Sequence, residues 1–363
     1  MTTVLIMAGG TGGHVFPALS VARVLRARAC RVVWLGTRHG IEGRLVPAEG
    51  ISAEWLSVSG LRGKGALKVS LAPLTLSRAL VQALKALDRH RPDVVLGLGG
   101  FAAGPGGIAA WMTRRPLVIH EQNAIAGLTN RVLAQLATRV AAAFPGSFSA
   151  ALAPIVIGNP VRPEIEALPE PTVRVADGRV RPRLLVIGGS QGAAALNGLV
   201  PAALATLNAE ERPDVLHQAG RGRAAAVSDS YAAAGIPAMV EEFIENMAGA
   251  YGWADLAVCR AGALTISELA AAGLPSLLIP FPAAVDDHQT ANARYLAERG
   301  AAVLLPEETL DPNLLGREIR RLCQADAGAR LAMAEAARRA ATPGAAERLA
   351  NICLHLVATR SRA

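Results

Sequence analysis

A chain of 363 residues exceeds what one hydrophobic core ordinarily organises, so two domains are expected. Its 52% hydrophobic, 18% charged and 4% aromatic residues exclude a disordered chain, and aromatics this sparse argue against a nucleic-acid binder built on base stacking. The net charge of +8 is lopsided: residues 1–158 hold 17 Lys and Arg against 6 Asp and Glu, while residues 159–363 hold 20 against 23. The first half is therefore expected to meet something anionic, such as nucleic acid, a phosphorylated substrate or acidic lipid headgroups.

In chain order, the apolar strand Val4–Met7 runs into Gly9-Gly10-Thr11-Gly12-Gly13-His14 and then a helical pattern from Pro17 to about Arg28. The same plan recurs at Asp93–Leu98, followed by Gly99–Gly107 and a helix through Trp111. A strand at Pro116–Ile119 ends in His120-Glu121-Gln122-Asn123. Proline and glycine in Gly158–Pro163 mark a linker. Beyond it Arg183–Ile187 leads into Gly188–Gly192 and a helix, Asp255–Cys259 into Gly262–Thr265 and a helix, and Pro275–Ile279 reads as a further strand. A long Ala- and Arg-rich helical tail is expected from about Asp326 to the end. Alternating strands and helices predict α/β architecture with two doubly wound, Rossmann-like domains facing across a cleft. The domains are expected at 1–158 and 159–340, with a helix at about 341–363 returning to the first. No apolar run reaches the roughly 18 residues of a membrane-spanning helix, and Met1–Ile6 has no basic leader, so a cytoplasmic location is expected.

Glycine loops at strand ends let backbone N–H groups approach an anion at the positive end of a helix, which suits a diphosphate. Neither a strict G-x-G-x-x-G nor a G-x-x-x-x-G-K-[ST] occurs, which disfavours nicotinamide dehydrogenases and P-loop NTPases. Glu268, placed by its pattern in the first turn of a helix, has two readings. Thr265-x-x-Glu268 fits a capping box, and a carboxylate at the cleft mouth fits a ribose diol. His14, at a helix N-terminus that disfavours imidazolium, suits a general base, with His120 and Glu121 as rivals. Asp286-Asp287-His288-Gln289 offers polar groups for sugar hydroxyls and has no recognised metal-ligand spacing. The cysteines Cys30, Cys259, Cys323 and Cys353 read as free thiols.

These segments together resemble the bacterial N-acetylglucosaminyltransferases that act on undecaprenyl-pyrophosphoryl-muramoyl-pentapeptide, lipid I. The resemblance rests on Gly9–His14, Gly99–Gly107, His120–Asn123, Gly158–Arg162, Gly188–Gly192, Ala263–Glu268 and Asp287–Gln289, in that order along nearly the whole chain. It implies the GT-B arrangement of two Rossmann-like domains and an inverting transfer of N-acetylglucosamine from UDP-N-acetylglucosamine to the muramoyl 4-hydroxyl, giving lipid II and UDP. Donor-binding positions fall on Thr11, Gly12, Gly13, Asn123, Arg162, Ser190, Ile244, Ala263, Leu264, Thr265, Ile266, Ser267, Glu268 and Gln289. The acceptor pyrophosphate falls to Gly12, Gly13, Gly104 and Gly106, and catalysis to His14 and Glu121. Position 288 is a histidine where some relatives carry glutamine. No cofactor and no metal are expected, since no D-x-D clamp is evident. The implied partners are UDP-N-acetylglucosamine, lipid I and the anionic lipid of the cytoplasmic membrane face, with no nucleic acid. Arg62, Lys64, Lys68, Arg78, Arg114 and Arg115 flank the apolar stretches Leu71–Leu80 and Ile108–Met112, a mixture suited to peripheral membrane contact. The rival functions are a UDP-sugar epimerase of the same architecture and a catalytically silent sugar-nucleotide or nucleic-acid binder.

Overall fold

The structure, a computed structural model, describes residues 1–58, 72–175, 181–188 and 193–360. The chain divides into two compact units, Met1–Val161 with Gly344–Ala363, and Arg162–Pro343.

In the first unit seven parallel strands form one sheet: β1 Thr3–Met7, β2 Arg31–Gly36, β3 Ser52–Trp55, β4 Val94–Gly97, β5 Leu117–Glu121, β6 Arg139–Ala142 and β7 Ile155–Val156, in the order β3-β2-β1-β4-β5-β6-β7. Because side chains alternate along a strand, Val4 and Ile6 enter one buried cluster and Leu5 and Met7 the other. Both faces of the sheet are covered, which is why these strands read as unbroken apolar runs. The second unit repeats the plan with β8 Arg183–Ile187, β9 Asp214–Gln218, β10 Ala238–Glu241, β11 Leu256–Cys259, β12 Ser276–Leu278 and β13 Ala302–Leu304, in the order β10-β9-β8-β11-β12-β13. In each sheet the order reverses at the first strand, between β1 and β4 and between β8 and β11. That reversal opens a crevice at the carboxyl ends of the strands, where ligands of doubly wound sheets bind.

Three boundaries differ from the sequence reading. The first helix spans Gly12–Ala27, so it starts inside the glycine loop and carries Pro17 in its body. Strand β5 extends through Glu121, so His120 and Glu121 are strand residues. The tail is two helices, Ala327–Ala340 in the second unit and Ala345–Arg360 in the first. Pro343 and Gly344, the latter at φ +74°, break the run between them. Leu349, Ala350, Cys353 and Leu356 of the last helix join the core on the Val4 and Ile6 face, and Arg348 donates to the Ile157 carbonyl at 2.7 Å.

Candidate active site

In the first unit the reversal point is built from two loops in contact. Gly9-Gly10 follows β1 and Gly99-Gly100 follows β4, and a Cβ on Gly100 would overlap the Gly9 carbonyl oxygen. Gly10, Gly99 and Gly100 hold φ of +91°, +101° and +84°, a region that disfavours side chains. The helix that follows begins at Gly12, so the amides of Gly12 and Gly13 lie ahead of its hydrogen-bond ladder and point with the positive end of its dipole. His14 stands in that first turn, half-buried, with Nδ1 3.4 Å from the Thr11 hydroxyl. Its ring edge faces Gly99, where a Cβ would come within 2.9 Å of Cδ2 and 3.0 Å of Nε2.

The other two proton-acceptor candidates are committed elsewhere. His120 is fully buried; its Nε2 lies 2.9 Å from the Gly158 carbonyl, which can only accept, so that nitrogen carries the proton. Nδ1 faces the Gln122 amide at 3.2 Å, and burial lowers the ring's pKa to about 4. Glu121 was expected as catalytic, but its carboxylate accepts four hydrogen bonds. Oε1 takes the Asn123 backbone N–H at 2.9 Å and Asn123 Nδ2 at 3.1 Å, and Oε2 takes the Gly127 N–H at 3.1 Å and Asn130 Nδ2 at 2.9 Å. With every lone-pair direction engaged, Glu121 shapes the Gln122–Gly127 loop and has none left for a substrate proton. Asn123 is thereby fixed, partly exposed, at the carboxyl end of β5.

Gly104 and Gly106 separate. Gly104 is partly exposed near the start of helix Ala103–Met112. Gly106 is buried on the helix's sheet side, where a Cβ would collide with Met7 Sδ and sit 2.8 Å from Leu35 Cδ2, and its N–H donates to the Ala102 carbonyl at 3.2 Å. The pyrophosphate assignment of Gly106 is corrected: this glycine allows close helix–sheet packing.

In the second unit, helix Ala263–Ala272 has Gly262 as N-cap with no side-chain capping bond, so Glu268 lies in its second turn and Thr265 inside the helix. The capping-box reading is overturned. Glu268, 4% exposed, instead accepts from Arg162, Nε at 3.2 Å and Nη2 at 2.8 Å, on Oε1, and from the Tyr251 hydroxyl at 2.9 Å on Oε2. The amides of Ala263, Leu264 and Thr265 precede the helix ladder. Ile266 departs from the expected donor run, being fully buried with its N–H spent on the Gly262 carbonyl at 2.9 Å; the Ser267 hydroxyl donates back to Ala263 at 3.0 Å. Gln289 Oε1 accepts from the Ala261 N–H at 3.2 Å and the Phe281 N–H at 2.9 Å, tying the loops after β11 and β12 together. His288 and Gln289 open helix His288–Ala297, preceded by Asp286 and Asp287 at φ +53° and +50°. The Ile244 side chain is buried, so its main chain is what it can offer a ligand. Ser190 lies outside the described residues.

Two partners escaped the sequence reading: Tyr251, whose link to Glu268 no spacing announces, and Glu42, a fully buried carboxylate under the first glycine loop. A lone glutamate between Gly40 and Gly43 carries no recognisable motif.

Two doubly wound parallel sheets, the first with a glycine-rich helix start at its reversal point and the second with a helix capped by Gly262 there, define the two-Rossmann GT-B architecture. The N-terminal domain of glycosyltransferase family 28 matches residues 4–142 and its C-terminal domain residues 183–349. A UDP-N-acetylglucosamine--N-acetylmuramyl-(pentapeptide) pyrophosphoryl-undecaprenol N-acetylglucosamine transferase from Nitrosococcus oceani is 56% identical, over 97% of this chain and 98% of its own. The protein of the same name from Alkalilimnicola ehrlichii shares 56% identity over the same proportions. Among solved structures, Acinetobacter baumannii MurG superposes with a TM-score of 0.84 at 38% identity, over 98% of this chain and all of that one. The chain belongs to glycosyltransferase family 28.

Proposed function

We propose that this protein transfers N-acetylglucosamine from UDP-N-acetylglucosamine to the 4-hydroxyl of the muramoyl sugar of lipid I, forming lipid II and UDP with inversion at the transferred carbon. The observation that carries this reading is the first helix start: two unladdered amides at Gly12 and Gly13 beside a half-buried histidine. It occurs in a chain 56% identical, nearly end to end, to transferases named for this donor and acceptor. The epimerase alternative finds no support among those names.

In the mechanism, the acceptor pyrophosphate is held by the Gly12 and Gly13 amides with the backbone around Gly104. His14 takes the proton of the acceptor hydroxyl as its oxygen bonds to the sugar C1, and the C1–O bond to UDP breaks with its electron pair leaving on the diphosphate. The amides of Ala263, Leu264 and Thr265, the Arg162 guanidinium and Ser190 stabilise that charge. Glu268 keeps one acceptor direction on Oε2 for a ribose hydroxyl, and the Ile244 main chain reads the uracil edge. Asn123 and the Gln289 amide nitrogen hold sugar hydroxyls; Gln289 Oε1 already serves two amides, so it contributes as a donor. On this reading Met1–Val161 with the last helix is the acceptor unit and Arg162–Pro343 the donor unit.

The acceptor's lipid requires a membrane surface. No helix among the described residues is long and apolar enough to cross a bilayer. The first unit, however, exposes Phe101, Ile108, Trp111, Met112, Leu128 and Val132, and Trp111 also lines a notch with Arg114, Arg115 and Arg360. Exposed apolar side chains on the unit that also carries this arginine-lined notch support peripheral contact with the anionic cytoplasmic face. The expected residues Arg62, Lys64 and Lys68 lie outside the described segments.

The test is UDP release measured with and without a lipid I analogue. Release that depends on the analogue and yields its N-acetylglucosaminyl product supports the proposal. A new UDP-sugar formed from UDP-N-acetylglucosamine alone overturns it.

A further inference from the structure

The loop after β2 carries a carboxylate that the mechanism leaves unused. Glu42, the first residue of helix Glu42–Ala48, is fully buried, and among the described residues the ion pairs of its unit are held by other carboxylates. Its charge is met by hydrogen bonds: Oε1 accepts from the Thr37 N–H at 3.1 Å and the Thr37 hydroxyl at 2.6 Å, and Oε2 accepts from the Gly10 N–H at 3.0 Å. Three glycines leave room for it. A Cβ on Gly9 or Gly40 would collide with the carboxylate, and one on Gly36 would lie 3.0 Å from Cγ.

Burying a carboxylate without a cation is costly, and an uncharged residue would fill the space at less expense. What the charge supplies is a strong acceptor that ties the Thr37 turn on Oε1 to the amide of Gly10 on Oε2, and Gly10 sits at φ +91° one residue before Thr11. We infer that Glu42 is the positioning residue of the acceptor site: it grips Gly10 from below and so fixes the direction of the Gly12 and Gly13 amides and of His14. It touches no substrate and acts through the loop. The inference rests on the proposed function, in which that loop holds the acceptor.

The test is Glu42→Gln in the full chain, with steady-state kinetics varied separately in donor and lipid acceptor. Glutamine keeps the shape but presents either a weaker acceptor or an opposing N–H to Gly10. A rise of roughly ten- to a hundredfold in acceptor KM, with donor KM within twofold of wild type, is expected, because small misplacements of a binding loop cost this much. Equal rises in both KM values, or unchanged acceptor kinetics, overturn the inference. Gly10→Ala covers the case in which Glu42→Gln fails to fold. Among the described residues no atom beyond the adjoining residues lies within 4 Å of its new methyl, yet the positive φ is strained, so the same acceptor-selective loss is expected, and unchanged acceptor KM again overturns it. If the wild type shows no acceptor-dependent release at all, the function reading fails, and this inference falls with it.

Discussion

Arg162 directs two nitrogens, Nε and Nη2, at the same oxygen of Glu268, which leaves the other oxygen to Tyr251. The side chains are 25% and 5% exposed, so the pair is largely withdrawn from water. Truncating Glu268→Ala is expected to cost about 3 kcal/mol of stability in the second unit, at the low end for a broken buried pair because the arginine stays partly solvated. It should also raise the UDP-N-acetylglucosamine KM by at least about tenfold, as expected for a lost charge-assisted contact. Urea unfolding and donor-saturation kinetics read the two effects.

Tyr251→Phe probes the same carboxylate more gently. Burial and the adjacent carboxylate push the Tyr251 phenol well above its ordinary range, so it remains a donor at any assay pH. Removing it should cost about 1.5 kcal/mol, the lower value for a hydrogen bond to a charged group. A phenylalanine variant as stable as wild type would contradict the assigned bond.

The roles of His14 and Glu121 separate by what each substitution damages. His14→Ala should lower kcat by about 10² to 10⁴ with little change in unfolding midpoint. Glu121→Gln should lower stability by about 2 kcal/mol, because an amide cannot accept all four bonds and leaves buried donors unpaired. If Glu121→Gln proved as stable as wild type but inactive, the assignment would reverse.

Each unit buries one histidine in its neutral form, and both contribute to pH dependence. Burial lowers His120 and His217 to about 4, while unfolded histidine titrates near 6.5. The unfolded chain therefore binds more protons between these values. The stability is present above about pH 6.5 and is lost as pH falls towards 4, by about 3 kcal/mol for each residue. Urea midpoints between pH 7 and 4.5 should fall accordingly, and His217→Gln should flatten the slope.

Gly100→Ala tests the contact between the two glycine loops. The methyl would overlap the Gly9 carbonyl at a φ of +84°, so strain of about 1–3 kcal/mol and a loss of acceptor turnover are expected. For the membrane surface, Trp111→Ala combined with Arg114→Glu should weaken sedimentation with anionic vesicles at least about tenfold, since an exposed aromatic and a basic charge each contribute about 1 kcal/mol or more.

Much of the fold was legible because it is local. Runs such as Val4–Met7 and Arg183–Ile187, each followed by glycines and a helical pattern, specify strand, turn and helix with no knowledge of neighbours, and two such series imply two doubly wound units. The same pattern placed Asn123 just beyond a strand and His14 near a helix start after the first glycine loop. Contacts decided the rest. A glycine that meets phosphate and one that meets Met7 are the same letter, so Gly106 could be separated from Gly104 only by which side of its helix faces the sheet. Whether Glu268 capped a helix depended on the helix starting at Ala263, and its actual partners are 106 and 17 residues away. Glu42 and Gly10, 32 residues apart, meet because β1 and β2 lie side by side. Backbone propensity acts over a few residues and is written in their order. Which side chains face one another is set by how sheets and helices pack, and only the assembled structure determines it.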